Sequence, residues 1–479
     1  MHPSATQGCA PLLGTDAFPP TRAETDAGRP RKVILIVIDG LTPTMFEAAV
    51  GDRRSPTLTF LAEQGRYARA VSTFPSVTPV CLSSIATGGH PDVHHIPHLV
   101  WWHRRERRVV EYGSSFAALR AAGMARGILD AIVNMNRQHL ARDARTLFEV
   151  LEPAGLTAAA INITCYRGST RHLPTLPGIA IAAYGPKRFF FYNLFESDIT
   201  GAPLAVFGRA AGSVDGYAAA VGRWLITRDG FDFLTYYLPD YDFASHVRGP
   251  DAAHEALARS DAAIGALFEA AGGPDEFLER YAVVLCSDHG QTLVDRHVPL
   301  EAPFAGLAGV VVTASNRAGM AYRLDGCPLD PRTLAQRLDR SEGAEVALFL
   351  EEGEAVARRE GEELRFVHDG DGWRTSGDES LLDHPDGLAR AWAALHNPNA
   401  GDVIVSAAPG IEFEDLAGRH HTGGGSHGSL VAGDSEVPML TIGIESTPRS
   451  IVDVAPTIIG HFGLDPPAYQ QAAARRVAA

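Results

Sequence analysis

Six aspartate and histidine residues have types and spacing that suit metal binding. They follow, or lie between, apolar runs that are far apart in the chain: Asp39, Asp242, His246, Asp288, His289 and His427. Carboxylate oxygens and neutral imidazole nitrogens are ligands that zinc accepts, and the scattered cysteines offer no competing thiolate site. Six such side chains can serve two cations, which together stabilise the attacking and leaving oxygens of a phosphoryl transfer. The sequence therefore predicts a hydrolytic centre with two metal ions.

Each of these residues also has an ordinary structural interpretation. A lone aspartate after a strand usually caps a helix or forms a turn, and Asp242 and His246 could lie in a solvated loop. Asp288 and His289 are more informative, because two ionisable residues close the buried run VVLC. Ligands drawn from several strand ends are what a metal site needs and what capping does not, so we favour the metal site.

Thr78 is the candidate nucleophile. It precedes Pro79 and a predicted helix that reaches Thr87, so we expect it to be the N-cap, with proline at the first helical position. Its hydroxyl would then lie at the positive end of the helix dipole, where an anion or alkoxide is stabilised. Thr73 is the rival nucleophile, but no comparable helix start follows it.

The elements that must position these residues alternate between strands and helices. Val33–Ile38 is an unbroken apolar run, as in a strand covered on both faces of a parallel sheet. Further strands are expected in 156–164, 231–242 and 281–290, with helices between them. This order predicts an α/β fold with a mostly parallel central sheet flanked by helices on both faces. Such sheets bind ligands beyond the carboxyl ends of their strands.

We expect one core with insertions rather than several domains. Residues 31–314 and 400–465 form the predicted core, which carries cap or lid insertions near 89–143 and 165–230. A small α+β insertion is expected over 315–399. Residues 1–30 are predicted to be a disordered tail, and 466–479 a C-terminal tail.

Composition restricts the partners and the location. The chain has 42 Lys and Arg against 57 Asp and Glu, and its net charge of -15 argues against a stable nucleic-acid complex. Its five cysteines have no C-x-x-C spacing, which favours reduced thiols. We find neither a signal peptide nor a membrane-spanning run and expect a cytoplasmic, soluble protein. The oligomeric state stays open.

Five segments, in order, resemble the alkaline phosphatase superfamily and, within it, the type I phosphodiesterase/nucleotide pyrophosphatase group. They are VIDG, TPVCLSSIATGGHP, PDYDFASHVRGP, SDHG and GSHG. Each motif alone is weak, but five in family order are specific. The resemblance implies an alkaline phosphatase-like core and a small phosphate-ester or nucleotide substrate.

The resemblance also implies roles for the candidate residues. One cation would be held by Asp242, His246 and His427, and the other by Asp39, Asp288 and His289. The expected ions are two Zn²⁺, with Mn²⁺ as the alternative. Thr78 would be the nucleophile and form a phospho-threonine intermediate. The four-residue spacing to His246 favours Asp242 over Asp240 as the ligand.

One departure from the family concerns the substrate. Characterised members place an asparagine, which binds a phosphate oxygen, shortly after an HG-I stretch; here that stretch is His94–Ile96 and the later position is Leu99. His98, His103 or a residue from an insertion are the candidate substitutes. A phosphomonoesterase or phosphomutase is therefore the alternative function, and a catalytically inactive metal-binding protein the alternative of another class. A sulfatase is disfavoured, because Thr78 stands where a modified Cys or Ser is needed.

Overall fold

The computed structural model describes residues 30–175, 181–192, 194–197, 199, 213–370 and 372–471. Its strands are, in chain order, β1 (Lys32–Ile38), β2 (Arg66–Val71), β3 (Val100–His103), β4 (Arg108–Glu111), β5 (Ala158–Ile161), β6 (Thr170–His172), β7 (Ala183–Gly185), β8 (Arg188–Phe191), β9 (Phe195–Ser197), β10 (Phe233–Leu238), β11 (Tyr281–Cys286), β12 (Thr292–Leu293), β13 (Arg296–Val298), β14 (Val310–Ser315), β15 (Ala318–Arg323), β16 (Ala344–Glu351), β17 (Glu354–Arg359), β18 (Glu362–Asp369), β19 (Gly372–Gly377), β20 (Val403–Ala407), β21 (Ile411–Phe413), β22 (Gly425–Ser426) and β23 (Glu436–Ile442).

The α-helices are, in chain order, α1 (Pro43–Gly51), α2 (Pro56–Gln64), α3 (Thr78–Thr87), α4 (Pro91–His94), α5 (Phe116–Ala122), α6 (Met124–Leu129), α7 (Leu147–Leu151), α8 (Val214–Ile226), α9 (Asp240–Arg248), α10 (His254–Ala271), α11 (Pro274–Arg280), α12 (Pro331–Asp339), α13 (Gly387–Leu395), α14 (Ala432–Ser435) and α15 (Val454–His461). A π-helical segment covers Asp130–His139. None of the helices in the described part of the chain has both the length and the apolar character needed to cross a membrane.

The central sheet has eight strands in the order β2, β23, β11, β1, β10, β5, β8, β9. The five strands from β11 to β8 are parallel to one another. Strand β23 runs antiparallel to both of its neighbours, and β9 runs antiparallel to β8. The predicted α/β fold with a mostly parallel central sheet is confirmed.

Strand β1 lies in the middle of this sheet because both of its faces are apolar. Val33, Leu35 and Val37 pack into the core that contains α3 and α15. Their alternates Ile34, Ile36 and Ile38 pack on the other face, with α1, α8 and α10. A β-branched run without alternation can only be satisfied by cover on both sides, and here the helices supply it.

A second sheet is antiparallel throughout, with strand order β14, β15, β20, β16, β17, β18, β19. Helix α12 covers one of its faces through Leu334 and Leu338. This unit includes the 315–399 segment expected as an α+β insertion, but its strands begin at Val310 and end at Ala407. The sheet therefore takes residues from both sides of that segment.

The segments predicted as caps contribute differently to the fold. Residues 89–143 contain the β3–β4 hairpin, α5, α6 and the π-helical segment. In 165–230, strands β8 and β9 extend the central sheet and α8 packs on it, so part of this segment belongs to the core. Residues 176–180, 193, 198 and 200–212 of that cap lie outside the described residues.

The predicted tails are described only in part. Of residues 1–30 only Pro30 is described, and the C-terminal segment is described to residue 471. Gln470 is buried, and its amide donates a hydrogen bond to the Thr87 carbonyl at 2.6 Å. The start of the predicted C-terminal tail thus packs against the end of α3. The described cysteines are free thiols, and Cys81, Cys165 and Cys286 are buried.

Candidate active site

Three neighbouring parallel strands deliver most of the candidate residues to one edge of the sheet. Asp39 directly follows β1, and Asp288 and His289 come two and three residues after the end of β11. Strand β10, on the other side of β1, runs into α9, which carries Asp242 and His246. Because parallel strands end at the same edge, these side chains meet there.

Asp242 and His246, for which a solvated loop was the ordinary interpretation, instead lie in helix α9 (Asp240–Arg248), and the strand expected over 231–242 ends at Leu238. Aspartates in the first turn and His246 in the last turn match the charges of the helix dipole. A spacing of four places Asp242 and His246 on one face, with His246 Nε2 3.3 Å from Asp242 Oδ2. Asp240 instead accepts hydrogen bonds from the backbone at the start of α8, at 3.2 and 3.3 Å. It therefore faces away from His246.

His427 reaches the same edge through a glycine-rich loop. Strand β22 pairs with β12, which lies just beyond His289 in the chain. A Cβ atom at Gly424 would lie 1.9 Å from the His246 carbonyl oxygen, and one at Gly425 2.3 Å from Gln291 Oε1. Only glycine permits this approach, which brings His427 against the ends of the strands.

Three oxygen atoms converge around one ring nitrogen of His289. Asp39 Oδ1 and Asp288 Oδ2 each lie 3.4 Å from His289 Nε2, and the Thr78 hydroxyl lies 3.1 Å from it. Both carboxylate oxygens are buried, and neither has a hydrogen-bond partner among the described residues. Buried anionic oxygens without donors need a cation, so this donor set fits a bound metal ion.

A second group lies beside the first. Ligand atoms of Asp242, His289 and His427 lie within 4.8 Å of one another, as do those of Asp39, Asp288 and His289. His427 Nε2 is 3.9 Å from Asp242 Oδ1, and its ring stacks on His289 with centroids 3.6 Å apart. His246 joins this group through Asp242. The two groups share His289, so two cations bound here would be close neighbours.

All three imidazoles are oriented in the same way. Nδ1 lies next to a backbone carbonyl in each ring: Gly425 at 2.8 Å for His246, Gly290 at 3.0 Å for His289 and Ser76 at 2.9 Å for His427. A carbonyl oxygen can only accept, so Nδ1 carries the proton and Nε2 keeps its lone pair. Such backbone contacts fix metal-ligating histidines in the correct tautomer.

The electrostatics also favour cations. Burial, followed by the charges of Asp288 and Asp242, raises the pKa of Asp39 well above its usual value. Burial likewise raises the pKa of Asp288. Burial works in the same direction on Asp242, but His246 and the other imidazoles outweigh it and lower the pKa of Asp242. Carboxylates crowded in this way are stabilised in their ionised form by a bound metal ion.

Thr78 is the first residue of α3 and not its N-cap, so the predicted position is wrong by one residue. Val77 is the cap, with extended backbone at φ -118° and ψ 144°, and no side chain caps this end. The Thr78 hydroxyl is therefore free to face His289. Thr73 is fully buried and lies near Cys81 Sγ at 3.8 Å and Ser84 Oγ at 3.5 Å, away from this group.

The two expected substrate contacts have other surroundings. His98 is fully buried, with Nδ1 3.1 Å from the backbone N and O of Val100. His103 stacks on Trp101, and its Nδ1 accepts a hydrogen bond from the Glu106 amide at 3.0 Å. Their described contacts include none of the candidate metal ligands.

Three residues near the ligands were missed by sequence reasoning. The Tyr237 hydroxyl donates a hydrogen bond to Asp39, and the Gln291 amide donates one to Asp242. Asn316 Nδ2 lies 2.8 Å from His427 Nε2. The position of Tyr237 one residue before the end of β10 was a usable signal. Gln291 and Asn316 had none, because their contacts span long stretches of sequence.

The fold is alkaline phosphatase-like, and its Asp/His edge is a candidate metal site. The structure resembles that of phosphonoacetate hydrolase from Sinorhizobium meliloti 1021 in complex with phosphonoformate, with a TM-score of 0.59, 17% identity, and coverage of 93% of this chain and 96% of that chain. It also resembles murine ectonucleotide pyrophosphatase/phosphodiesterase 5, with a TM-score of 0.57, 12% identity, and coverage of 91% and 96%. At these identities the likeness shows the fold.

The sequence profile of the type I phosphodiesterase/nucleotide pyrophosphatase family matches residues 33–430. The chain therefore belongs to this family of phosphoric ester hydrolases, within the alkaline phosphatase superfamily. Comparison with curated proteins gives no match.

Proposed function

We propose that this protein hydrolyses phosphodiester or nucleotide pyrophosphate bonds with Thr78 as the nucleophile and two divalent cations as cofactors. The observation that carries the proposal is the 3.1 Å contact between the Thr78 hydroxyl and His289 Nε2, the atom on which Asp39 and Asp288 also converge. Helix capping does not explain the position of this hydroxyl, since no side chain caps the start of α3. Its position beside the candidate metal ligands supports the proposed role of nucleophile.

Asp39, Asp288 and His289 would hold one cation, and Asp242, His246 and His427 the other. Bound there, the cations would supply charge neutralisation for the phosphoryl group and favour the alkoxide form of Thr78. Imidazole and carboxylate ligands suit zinc, and manganese is the alternative. The proposal accounts for the donor-free oxygens of Asp39 and Asp288.

The exposure of these residues matches the proposed roles of nucleophile and metal ligands. Asp39, Asp242, Asp288, His289 and His427 are at most 4% exposed. Thr78 is half-buried and is thus more accessible than these five ligands. Substrate would meet the threonine, while the protein keeps the ligands away from water. The Thr78 end of α3 also carries the positive pole of the helix dipole, which attracts an anionic phosphoryl group.

The reaction would proceed in two displacements. In the first, the Thr78 oxygen forms a bond to phosphorus as the bond to the leaving alcohol or phosphate breaks, which gives a phospho-threonine ester. In the second, water attacks phosphorus from the vacated side and the bond to Thr78 breaks. Each displacement inverts the configuration, so phosphorus retains its configuration overall.

The family and the ligands of structural neighbours support a proposal for the substrate class. The neighbours include complexes of a hydrolase with phosphonoacetate and an inactive ectonucleotide pyrophosphatase with AMP. We propose a small phosphate ester or nucleotide as the substrate of this chain. The net charge of the protein, -15, makes a nucleic-acid polymer a poor partner.

The experiment is a substrate panel with purified protein in zinc, in manganese and in chelator. We expect bis-4-nitrophenyl phosphate and a dinucleotide to be hydrolysed, and activity to disappear in chelator and return with metal. Preference for 4-nitrophenyl phosphate would indicate the phosphomonoesterase alternative. No turnover of any substrate, with metal bound, would indicate a catalytically inactive metal-binding protein and contradict the proposal.

A further inference from the structure

Asn316 is held rigidly beside the candidate metal ligands by the second sheet. It lies in the turn between β14 and β15, with φ +57°, and is buried. Its carbonyl accepts a hydrogen bond from the Phe413 amide at 2.8 Å. The next residue, Arg317, donates its backbone N–H to the His427 carbonyl at 2.8 Å, and its buried guanidinium pairs with Asp434 at 2.8 Å. The turn is thus fixed to the loop that carries His427.

The Asn316 side chain occupies the one atom of His427 that can bind a metal ion. Its Nδ2 donates to His427 Nε2 at 2.8 Å, while His427 Nδ1 is already committed to the Ser76 carbonyl. A proton and a cation cannot share the same lone pair. Loading of this site therefore requires the Asn316 amide to leave or to turn.

Turning is the easier of these movements. Rotation about the bond between Cβ and Cγ exchanges the amide nitrogen and oxygen without moving the backbone. The Ser315 hydroxyl now donates to Asn316 Oδ1 at 3.0 Å. A hydroxyl is both donor and acceptor, so it could accept from Nδ2 after the exchange. The serine can therefore satisfy the amide in both orientations.

We propose that the side-chain amide oxygen of Asn316, Oδ1, is an additional ligand of the cation held by His427. A cation repels the N–H end of an amide and attracts its oxygen, so the turned orientation is the one that a bound ion selects. Amide oxygens are accepted ligands of hard divalent ions such as manganese. This inference rests on the proposed two-cation function and assigns to the second sheet a direct part in it.

The test compares cation binding by the full-length wild type and by N316G and N316D. Glycine suits the positive φ at this position, so N316G removes the side chain without backbone strain. N162G is the matched control, because Asn162 also has a positive φ of 60° and its amide lies 3.5 Å from the Val214 carbonyl. Zinc and manganese affinities are measured by competition with a chelating dye, and melting in chelator checks folding.

We expect N316G to weaken one of the two binding steps about 10- to 100-fold, the usual effect of losing a supporting group at a metal site. The other step should be unchanged, N316D should bind at least as tightly as wild type, and N162G should match wild type. Unchanged cation affinity in N316G would overturn the inference. A rise in the KM of N316G without a change in cation affinity would indicate that Asn316 contacts substrate, and would also overturn it. Tighter binding in N316G would also overturn it, since Asn316 would then be a competitor. If wild type itself binds no cation, the proposed function fails and the inference that rests on it fails with it.

Discussion

The Thr78 hydroxyl lies 3.1 Å from Nε2 of His289, a nitrogen that also faces carboxylate oxygens of Asp39 and Asp288 at 3.4 Å. Residues from a helix start and from two strand ends thus meet at one atom. This relationship links the sheet to the chemistry, because the parallel order of β11 and β1 brings both strand ends to the same edge.

Replacement of Thr78 by valine keeps the shape and removes the hydroxyl. We expect T78V to lose phosphodiester hydrolysis by on the order of 10³-fold or more, as when a nucleophile is removed. Zinc content, measured by elemental analysis, should stay at the wild-type level. The control is T73V, which alters the buried rival threonine. Loss of turnover in T73V together with full turnover in T78V would transfer the nucleophile to Thr73.

Replacement of Asp288 by asparagine should have opposite effects on stability and on metal binding. Burial and then repulsion by Asp288 raise the pKa of Asp39; without metal, D288N relieves this repulsion, so we expect it to unfold at a higher urea concentration than wild type in chelator. In zinc at 100 times the dissociation constant, wild type should gain about 2.7 kcal/mol. D288N should gain clearly less stability from zinc. The control is D275N, which changes an exposed aspartate and should gain as much stability from zinc as wild type does. Equal zinc stabilisation of D288N and wild type would exclude Asp288 as a ligand.

Tyr237 should tune metal affinity through Asp39. Its hydroxyl donates to Asp39 Oδ2, so Y237F removes one donor and leaves the buried ring in place. We expect zinc affinity to fall about 10- to 100-fold. Tyr236, the next residue on β10, provides the control, because its hydroxyl bonds the Ala263 carbonyl at 2.9 Å. If Y236F weakened zinc binding as much as Y237F, the effect would be one of packing rather than of ligand orientation.

Asp215 should give the fold a pH dependence that is separate from metal binding. Burial and the neighbouring Asp240 raise the pKa of Asp215 to about 7. An unfolded aspartate has a pKa of about 3.9, so between about pH 4 and pH 7 the native state binds more protons and stability falls as pH rises.

The measurement is the urea unfolding free energy of wild type and D215N in chelator from about pH 4 to about pH 9. Wild type should lose on the order of 1–4 kcal/mol relative to D215N across this range. Above about pH 8 the difference should be constant, because Asp215 is ionised in both states. A difference that does not change with pH would show that Asp215 is ionised in the native state throughout.

The sequence could locate those parts of the site that follow strongly apolar strands. Asp39 comes directly after, and Asp288 two residues after, a run that only a doubly covered strand explains, so their shared edge followed from the predicted parallel sheet. Helix α9 was missed because its exposed Phe243 and Val247 and its charged residues obscure the helical pattern. The link between Asn316 and His427 spans 111 residues, a distance over which local pattern carries no information.

The bounds of the insertions were harder to predict for a related reason. Strands β8 and β9 have four and three residues, and their place beside β5 is set by pairing rather than by their own composition. The same holds for β20, whose apolar residues would suit either sheet and which pairs with β15 and β16.

The most direct test of the two-step mechanism is to trap the covalent intermediate. Wild-type protein is mixed with excess bis-4-nitrophenyl phosphate, quenched in acid within the first turnover and digested for mass spectrometry, with T78V treated in parallel. We expect the peptide that contains Thr78 to carry one nitrophenyl phosphoryl group in wild type and none in T78V. Rapid turnover with no modified peptide, or modification of another residue, would contradict nucleophilic catalysis by Thr78.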